Sequence, residues 1–311
     1  MRLFDLHCDT LYRALDEHGS VVDNNYHLSV HRGPRANGWA QCFAVWIQDE
    51  CRNEAAISLF RRAKEKFDEE IHKNSSLMLQ CRTTKDISKA IKEHKCAAIL
   101  TVEGGAALAG ELSNLDYLSE CGVQMMTLTW NGHCEVGGGT LAAAPNGLTN
   151  FGKSVVRRMV ELNMAIDISH ASDALFYDVA GEVSGTLVAS HSNSRVVCKH
   201  RRNLTNEQFD IIAARRGLVG LNFARGFLKD DGNATAEDIV KHAEYFLARG
   251  GEKTICLGTD FDGAEVPQDI TGIESMASLY ELFLRHNYNE SLVEDIFFNN
   301  AFNFFARLGG E

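Results

Sequence analysis

Short apolar segments alternate with amphipathic helical segments along almost the whole of this 311-residue chain. The strand-like segments are apolar throughout, as in a parallel sheet that is covered on both faces. Eight of them are found, at residues 3–6, 40–46, 97–102, 124–128, 165–168, 186–189, 217–221 and 254–257. The pattern predicts a (β/α)8 TIM barrel with long active-site loops and extra C-terminal helices.

The segments between the predicted strands have helical periodicity. In the first long one Ala55, Leu59, Ala63, Phe67 and Ile71 recur every fourth residue. Others lie at residues 86–93, 114–120, 151–162, 174–180, 206–214 and 236–248, and a helical tail runs from 273 to about 308. With three prolines, no linker and no repeat of fixed period, the chain is predicted to form one domain over residues 1–311.

An open doubly wound sheet is the alternative to a barrel. No Gly-x-Gly-x-x-Gly motif follows the first strand, which removes the dinucleotide-binding form of that alternative. The three glycines at 137–139 lie in a long loop after the fourth strand, and residues 16–38 form a second long loop. Both loops are expected at the active-site end of a barrel.

Composition restricts the partners and the compartment. The formal net charge is −11 without a basic stripe, which argues against nucleic acid and anionic membranes as partners. No stretch approaches the roughly 20 apolar residues of a membrane span, and no signal peptide precedes the first strand. The nine cysteines are scattered without a Cys-x-x-Cys motif, as expected of reduced thiols. We therefore expect a cytoplasmic protein.

Histidines and carboxylates follow five of the predicted strands, at the ends where barrel enzymes carry their catalytic groups. His7 and Asp9 flank Cys8 after the first strand, so their side chains share one face and can hold one cation. Four further candidates follow later strands: Glu103, His170, His191 and Asp260. A single histidine after a strand is more often a structural residue than a metal ligand. Structural roles alone, however, explain poorly why such residues follow five strands of one chain.

Three histidines and three carboxylates suit two divalent ions, for which zinc is the best candidate. The strand of Glu103 lies between the two histidine groups, so Glu103 is the candidate bridge, with a hydroxide or water as the second bridge. Asp262, before Gly263, is interpreted as turn chemistry. Five other histidines are predicted to be solvated: His18, His72, His94, His242 and His286. The roles of four more, in long loops near the proposed site, are left open: His27, His31, His133 and His200.

Five segments together resemble the membrane dipeptidase (renal dipeptidase) family of zinc peptidases, within the amidohydrolase-like barrels. They are DLHCD at 5–9, VEGG at 102–105, DISH at 167–170, SHSN at 190–193 with RRNLT at 201–205, and GTDFDG at 258–263. The resemblance covers the whole chain. It implies a (β/α)8 barrel that hydrolyses dipeptides, and a homodimer.

Residue by residue, the resemblance implies that His7 and Asp9 bind one zinc ion and that His170 and His191 bind the other, with Glu103 between them. Two further roles are implied: Arg202 holds the C-terminal carboxylate of the substrate, and Asp260 is the acid/base. One departure concerns the segment after Thr129, where many members have a histidine and this chain has Trp130. Trp130, Asn131 and the nearby His133 are therefore the candidate substrate contacts in that region.

The sequence thus predicts a dinuclear zinc dipeptidase for dipeptides with a free C-terminal carboxylate, and a D-residue at that end belongs among the substrates to be tested. Two other classes remain open. One is a deaminase, lactonase or phosphotriesterase on the same metal site, since one fold hosts many reactions. The other is a non-catalytic metal- or ligand-binding barrel.

Overall fold

The protein forms a closed barrel of eight parallel strands with helices between them, as predicted. The computed structural model describes residues 1–144 and 146–310. Its nine strands are β1 (Leu3–Asp5), β2 (Trp39–Trp46), β3 (Met78–Gln80), β4 (Cys96–Glu103), β5 (Val123–Thr127), β6 (Ala165–Asp167), β7 (Leu187–Ala189), β8 (Leu218–Leu221) and β9 (Ile255–Leu257).

The barrel runs in the order β1, β2, β4, β5, β6, β7, β8, β9 and closes between β9 and β1. The longest pairing joins β2 and β4, from Trp39 opposite Cys96 to Trp46 opposite Glu103. The seam between β1 and β9 is the shortest, with the single pair Asp5 and Leu257.

The extra strand β3 was not predicted from the sequence. It pairs with the beginning of β4, from Met78 opposite Cys96, while β5 pairs with the end of β4. Unlike the other three-residue strands, β3 is only partly buried and lies outside the closed ring of the barrel, so it is apparent only from its pairing with a distant segment.

The helices lie around the barrel, and one group follows its last strand. They are α1 (Thr10–Asp16), α2 (Glu54–Lys73), α3 (Thr84–Lys92), α4 (Leu112–Glu120), α5 (Asn150–Glu161), α6 (Asp173–Glu182), α7 (Asn206–Ala214), α8 (Arg225–Leu228), α9 (Ala236–Leu247), α10 (Met276–Arg285), α11 (Glu290–Glu294) and α12 (Asn300–Leu308). Among the described residues, no helix is both long and apolar enough to cross a membrane.

Apolar side chains fill the space between the strands and the helices. On α2 the buried face includes Leu59, Ala63 and Phe67, whereas Ala55, which the periodicity placed on it, is exposed. At the N-terminal end of the barrel Phe305 of α12 stacks on Phe4 of β1, with ring centroids 5.4 Å apart and planes 7° apart. This packing covers one end of the barrel and leaves the C-terminal ends of the strands for the site.

Candidate metal centre and active site

The predicted site residues meet at the C-terminal mouth of the barrel. Asp9, Glu103, His170 and Asp260 line one cavity of about 540 Å3, together with Arg202. The six candidate ligands are buried, with exposed fractions between 1% and 9%. The barrel therefore brings together side chains that are widely separated in the sequence.

Glu103 lies between two groups of ligand atoms. Its Oε2 is 3.5 Å from Nε2 of His7. Its Oε1 is 2.8 Å from Nε2 of His170 and 3.6 Å from Nε2 of His191. One carboxylate thus presents one oxygen to each side, as a bridge between two cations requires.

The side of His7 includes two more carboxylates. Nε2 of His7 is 3.3 Å from Oδ2 of Asp9 and 3.9 Å from Oδ1 of Asp260. Two triads have their ligand atoms within 4.8 Å of one another, namely His7, Asp9 and Asp260, and His7, Glu103 and His191. On the other side, Nε2 of His170 and Nε2 of His191 are 3.0 Å apart.

The hydrogen bonds of His191 determine which of its ring nitrogens is free. Ser190 donates its only hydroxyl proton to Oδ2 of Asp167, at 2.5 Å. Nδ1 of His191 lies 2.8 Å from the same hydroxyl oxygen, so Nδ1–H must be the donor. The neutral ring therefore presents the lone pair of Nε2 to the centre of the site.

His170 is held in the same tautomer. Its Nδ1 is 2.9 Å from Oδ1 of Asn131, an oxygen that can only accept a hydrogen bond. Burial first, and then Arg202 for His170 and His7 for His191, lower the pKa of both imidazoles well below the usual range. The Nε2 lone pairs of both rings and one oxygen of Glu103 therefore point into the same space, and neither nitrogen carries a proton.

A divalent cation fits this donor set. Oδ1 of Asp9 is buried and has no hydrogen-bond partner among the described residues, and a buried polar atom without a partner is costly. Burial, followed by the charge of Asp9, raises the pKa of Glu103 to about 7 and also raises the pKa of Asp260. Positive charge between these carboxylates would remove their mutual repulsion, and imidazole nitrogens with carboxylate oxygens are ligands that zinc accepts.

Asp260 is held in place by a residue that the sequence analysis did not identify. The side-chain amide of Asn222 donates to Oδ2 of Asp260 at 3.0 Å and to the carbonyl of His191 at 3.2 Å. The other oxygen of Asp260 is left facing His7. Asn222 directly follows β8 and is fully buried, so the strand-end argument that found His191 applies to it as well.

The loop after β9 approaches the ligands closely. Asp260 has a positive φ of 60°, a conformation that few residues other than glycine adopt. A Cβ on Gly263 would lie 2.0 Å from Oδ2 of Asp9. Only glycine at position 263 lets the backbone pass this close to the site.

Arg202 is a buried cation at the wall of the cavity. It is 5% exposed, and its Nη2 donates to the carbonyl of His191 at 3.3 Å. Its Nε is buried without an acceptor among the described residues, and its guanidinium lies 5.4 Å from the ring centroid of Phe227. Burial lowers the pKa of Arg202 to about 10, so it stays protonated at neutral pH with donors to spare.

The three residues predicted to contact the substrate differ in position. Trp130 and Asn131 line the cavity, although the carboxamide oxygen of Asn131 already accepts the hydrogen bond from His170. His133 is exposed and is not among the residues that line the cavity. Its backbone is bridged to Gly138 within its own loop, and this geometry argues against a substrate contact by His133.

The other histidines mostly lie where they were expected. His18, His72, His94 and His286 are exposed. The prediction of a solvated His242 is wrong: it is fully buried on α9, where its Nδ1 accepts from the Ser194 amide at 3.1 Å and its Nε2 lies 3.0 Å from the Leu228 carbonyl. These two partners replace water and hold the segment after β7 to α9.

Two residues beside the site have roles in shaping its walls. Asp262 accepts hydrogen bonds from the backbone amide of His27 at 2.7 Å and from the hydroxyl of Thr10 at 2.5 Å. It thereby attaches the loop of residues 16–38 to the mouth of the barrel. His200, left open by the sequence analysis, lines the cavity and stacks on Phe227 with ring centroids 4.4 Å apart.

The chain is similar to proteins with known structures. A metallo peptidase described as the dipeptidase AC superposes with a TM-score of 0.94 at 27% identity, over 100% of this chain and 99% of the other. A metallo peptidase from Rhodobacter sphaeroides, liganded with a phosphinate mimic of the dipeptide L-Ala-D-Ala, superposes with a TM-score of 0.93 at 26% identity, over 99% of each chain.

Sequence comparison adds the family. An uncharacterized protein from the pqqA 5′ region of Klebsiella pneumoniae is 29% identical over 230 residues, which is 71% of this chain and 85% of that protein. The family model for membrane dipeptidase (peptidase family M19) matches residues 1–308. The chain therefore belongs to the membrane dipeptidase family, and it is a hydrolase acting as a metallo-dipeptidase.

Proposed function

We propose that this enzyme is a dinuclear zinc dipeptidase that cleaves dipeptides with a free C-terminal carboxylate. The observation that carries the proposal is the position of Glu103, whose two carboxylate oxygens face the His7 side and the His170–His191 side separately. A site for one ion would not need a carboxylate shared in this way.

The ligands divide into two sets. His7, Asp9 and Oε2 of Glu103 would hold one ion, and His170, His191 and Oε1 of Glu103 the other. Zinc in these positions would polarise the scissile carbonyl and lower the pKa of the attacking water. The protein's own contribution is to present all these lone pairs, in fixed tautomers, inside a buried cavity.

Asp260 is proposed as the general base and then the general acid. Asn222 occupies its Oδ2, so Oδ1 is the oxygen that takes a proton from the attacking water. The same carboxyl then gives this proton to the nitrogen of the breaking peptide bond, so that the amine leaves neutral. Burial raises the pKa of Asp260, which favours its holding the proton between the two steps.

Arg202 is proposed to select the substrate. Its buried guanidinium has an unused Nε–H and no carboxylate bonded to it among the described residues. A guanidinium fork matches a carboxylate with two parallel hydrogen bonds. A free carboxylate one residue after the scissile bond would satisfy it, which restricts cleavage to dipeptides.

The stereochemistry of the C-terminal residue is a further part of the proposal. The relative from Rhodobacter sphaeroides was crystallised with a mimic of L-Ala-D-Ala, and we propose that this enzyme also accepts a D-residue at that position. We also propose that the enzyme acts in the cytoplasm, since its nine cysteines are free thiols in the structure, and that it is a homodimer.

Metal analysis combined with a substrate screen tests the proposal. We expect two zinc ions per chain and zinc-dependent hydrolysis of L-Ala-L-Ala and L-Ala-D-Ala. The matched C-terminal amides should be poor substrates because they offer Arg202 no carboxylate. Hydrolysis of lactones, phosphotriesters or amine-bearing heterocycles without any dipeptide cleavage would contradict the proposal, and so would full activity with a single ion per chain.

A further inference from the structure

Three aromatic side chains line one side of the cavity and have no part in the chemistry proposed above. Tyr12, Trp46 and Trp130 form this aromatic wall. Tyr12 meets Trp46 edge to face, with centroids 4.8 Å apart and planes at 77°, and Trp46 meets Trp130 in the same way at 4.9 Å and 70°. Such contacts fix ring orientations, so the wall is a preformed surface.

Trp46, the middle ring of the aromatic wall, lies across the barrel mouth from Arg202. Trp46 ends β2, opposite Glu103 in the pairing of β2 with β4. Arg202 is bonded to the His191 carbonyl, just after β7. In the order β1, β2, β4, β5, β6, β7, β8, β9 the strands β2 and β7 are four places apart in a ring of eight, which is diametrically opposite.

The three rings of the wall offer apolar surface to the cavity. Its three residues are half-buried, and Leu141, which lines the same cavity, is 48% exposed. At the edge of the wall Glu17 and Asp262 share the single charge of Arg13, at 2.9 Å from its Nε and 3.3 Å from its Nη1, and Asp16 is exposed beside them. The three rings themselves are uncharged, so a side chain that packs against them gains free energy by burying apolar area.

We propose that the aromatic wall is the subsite for the side chain of the substrate's N-terminal residue and that it selects large apolar side chains, above all aromatic ones. The inference rests on the proposed function. If Arg202 holds the C-terminal carboxylate and Glu103 marks the scissile bond, the first residue of an extended dipeptide lies beyond Glu103, on the side of β2. Its side chain then meets Trp46 and Trp130.

A substrate series tests the proposal on the wild-type enzyme. The C-terminal residue is kept as Ala while the first residue is Ala, Leu, Phe, Lys or Glu. We expect kcat/KM for Phe-Ala to exceed that for Ala-Ala by about tenfold or more, within the range that apolar pockets achieve, with Leu-Ala between them. Reversing the order to Ala-Phe should bring no comparable gain, because that side chain faces away from the wall.

Variants assign the preference to the wall. Trp46→Ala should bring the ratio of kcat/KM for Phe-Ala to that for Ala-Ala close to one, whereas Trp46→Phe should retain most of it. Tyr177→Ala removes an aromatic residue that is 43% exposed and outside the cavity lining, so this control should keep the wild-type ratio. The ratio is read within each variant, which cancels any change in the amount of active enzyme.

The outcomes separate this inference from the proposed function. Cleavage of Ala-Ala with no gain for Phe-Ala would overturn the inference and leave the dipeptidase proposal intact. A preference for Lys-Ala or Glu-Ala would overturn it too, since the wall would then serve a charged group. Failure to cleave any dipeptide would count against the proposed function. If Trp46→Ala does not fold, the wild-type series and Trp46→Phe still decide.

Discussion

Single residues beneath the proposed metal ligands and the proposed acid/base determine the state of those side chains. Ser190 carries one proton, and because Asp167 accepts it, the ring of His191 has to donate from Nδ1. Asn222 acts in the same way on Asp260, since it occupies one carboxylate oxygen and leaves the other for chemistry. Neither residue takes a direct part in the proposed mechanism, yet each fixes the state of one that does.

Ser190→Ala should weaken zinc binding by about ten- to a hundredfold, the usual cost of losing a partner that orients a ligand. The reason is that Nδ1 of His191 loses its acceptor and the ring loses its fixed tautomer. Titration with a competing chelator measures the change. Ser169→Ala is the matched control, because its hydroxyl bonds the backbone amide of His191 at 3.1 Å and not the ring. Equal losses in both variants would contradict the role given to Ser190.

Asp260→Asn should lower kcat by about 10²–10⁴-fold, the range for a lost general acid–base group. Zinc content should stay near that of the wild type, because the amide keeps the size of the side chain and an oxygen. Turnover and metal analysis on the same sample check both parts. Asp16→Asn, at an exposed carboxylate of the same cavity, should leave kcat close to wild type. Loss of both zinc ions in Asp260→Asn would show that Asp260 is a ligand first.

Arg202→Met should lower kcat/KM for dipeptides by at least about 10–150-fold, which corresponds to one of the two hydrogen bonds that its guanidinium would donate to the carboxylate. The matched C-terminal amides should be slow with the wild type and nearly unchanged by the substitution, since they cannot form the ion pair. Comparing wild type and Arg202→Met on both acids and amides forms a double-mutant cycle, which isolates the interaction between Arg202 and the substrate carboxylate. Equal losses for acids and amides would instead point to a structural role for Arg202.

At the scale of elements, α9 contributes to the site through its buried histidine. His242 connects α9 to the amide of Ser194 and to the carbonyl of Leu228, so the segment after β7 and the end of α8 are both attached to one helix. Burial lowers the pKa of His242 to about 4. This imidazole is therefore neutral in the folded enzyme, and it takes up a proton on unfolding at mildly acidic pH.

The free energy of unfolding should consequently fall as the pH is lowered from about 6.5 to about 4, where only the unfolded chain binds this proton. The contribution of His242 to this loss is up to about 3 kcal/mol. His242→Gln should be less stable than the wild type at pH 7, and the difference should shrink as the pH falls through this window. Denaturant melts at several pH values measure it. A difference independent of pH would contradict the assigned cause.

The strands and helices also show which features can be predicted from sequence patterns and which cannot. All eight barrel strands were predicted, because each is a continuous apolar run and segments with helical periodicity separate most of them. The strand β3 was missed, since its identity depends on pairing with β4 and not on its own three residues. The candidate ligands were found from their strand ends, but the roles of Ser190 and Asn222 depend on proton positions and contacts that cross the barrel. His242 was misjudged because its burial comes from the segments of Ser194 and Leu228.

For the whole molecule, the buried cluster of carboxylates and imidazoles should make stability depend on the proposed zinc ions. Removal of zinc by a chelator should lower the melting temperature, because the carboxylates of Asp9, Glu103 and Asp260 then repel one another in a buried space. Free zinc at a hundred times its dissociation constant should restore about 2.7 kcal/mol per site. Calorimetry with and without zinc measures the effect, and Glu103→Gln should reduce it. An unchanged melting temperature after verified removal would contradict this account.

The seam between β1 and β9 has a consequence for the order in which the enzyme is made. His7 and Asp9 lie on one side of this seam and Asp260 on the other, so this part of the centre joins the first and the last strands of the barrel. On the ribosome, Glu103, His170 and His191 are all synthesised while the barrel is still open. The group of His7, Asp9 and Asp260 can form only after β9 has emerged, so closure of the barrel and completion of this group are one event.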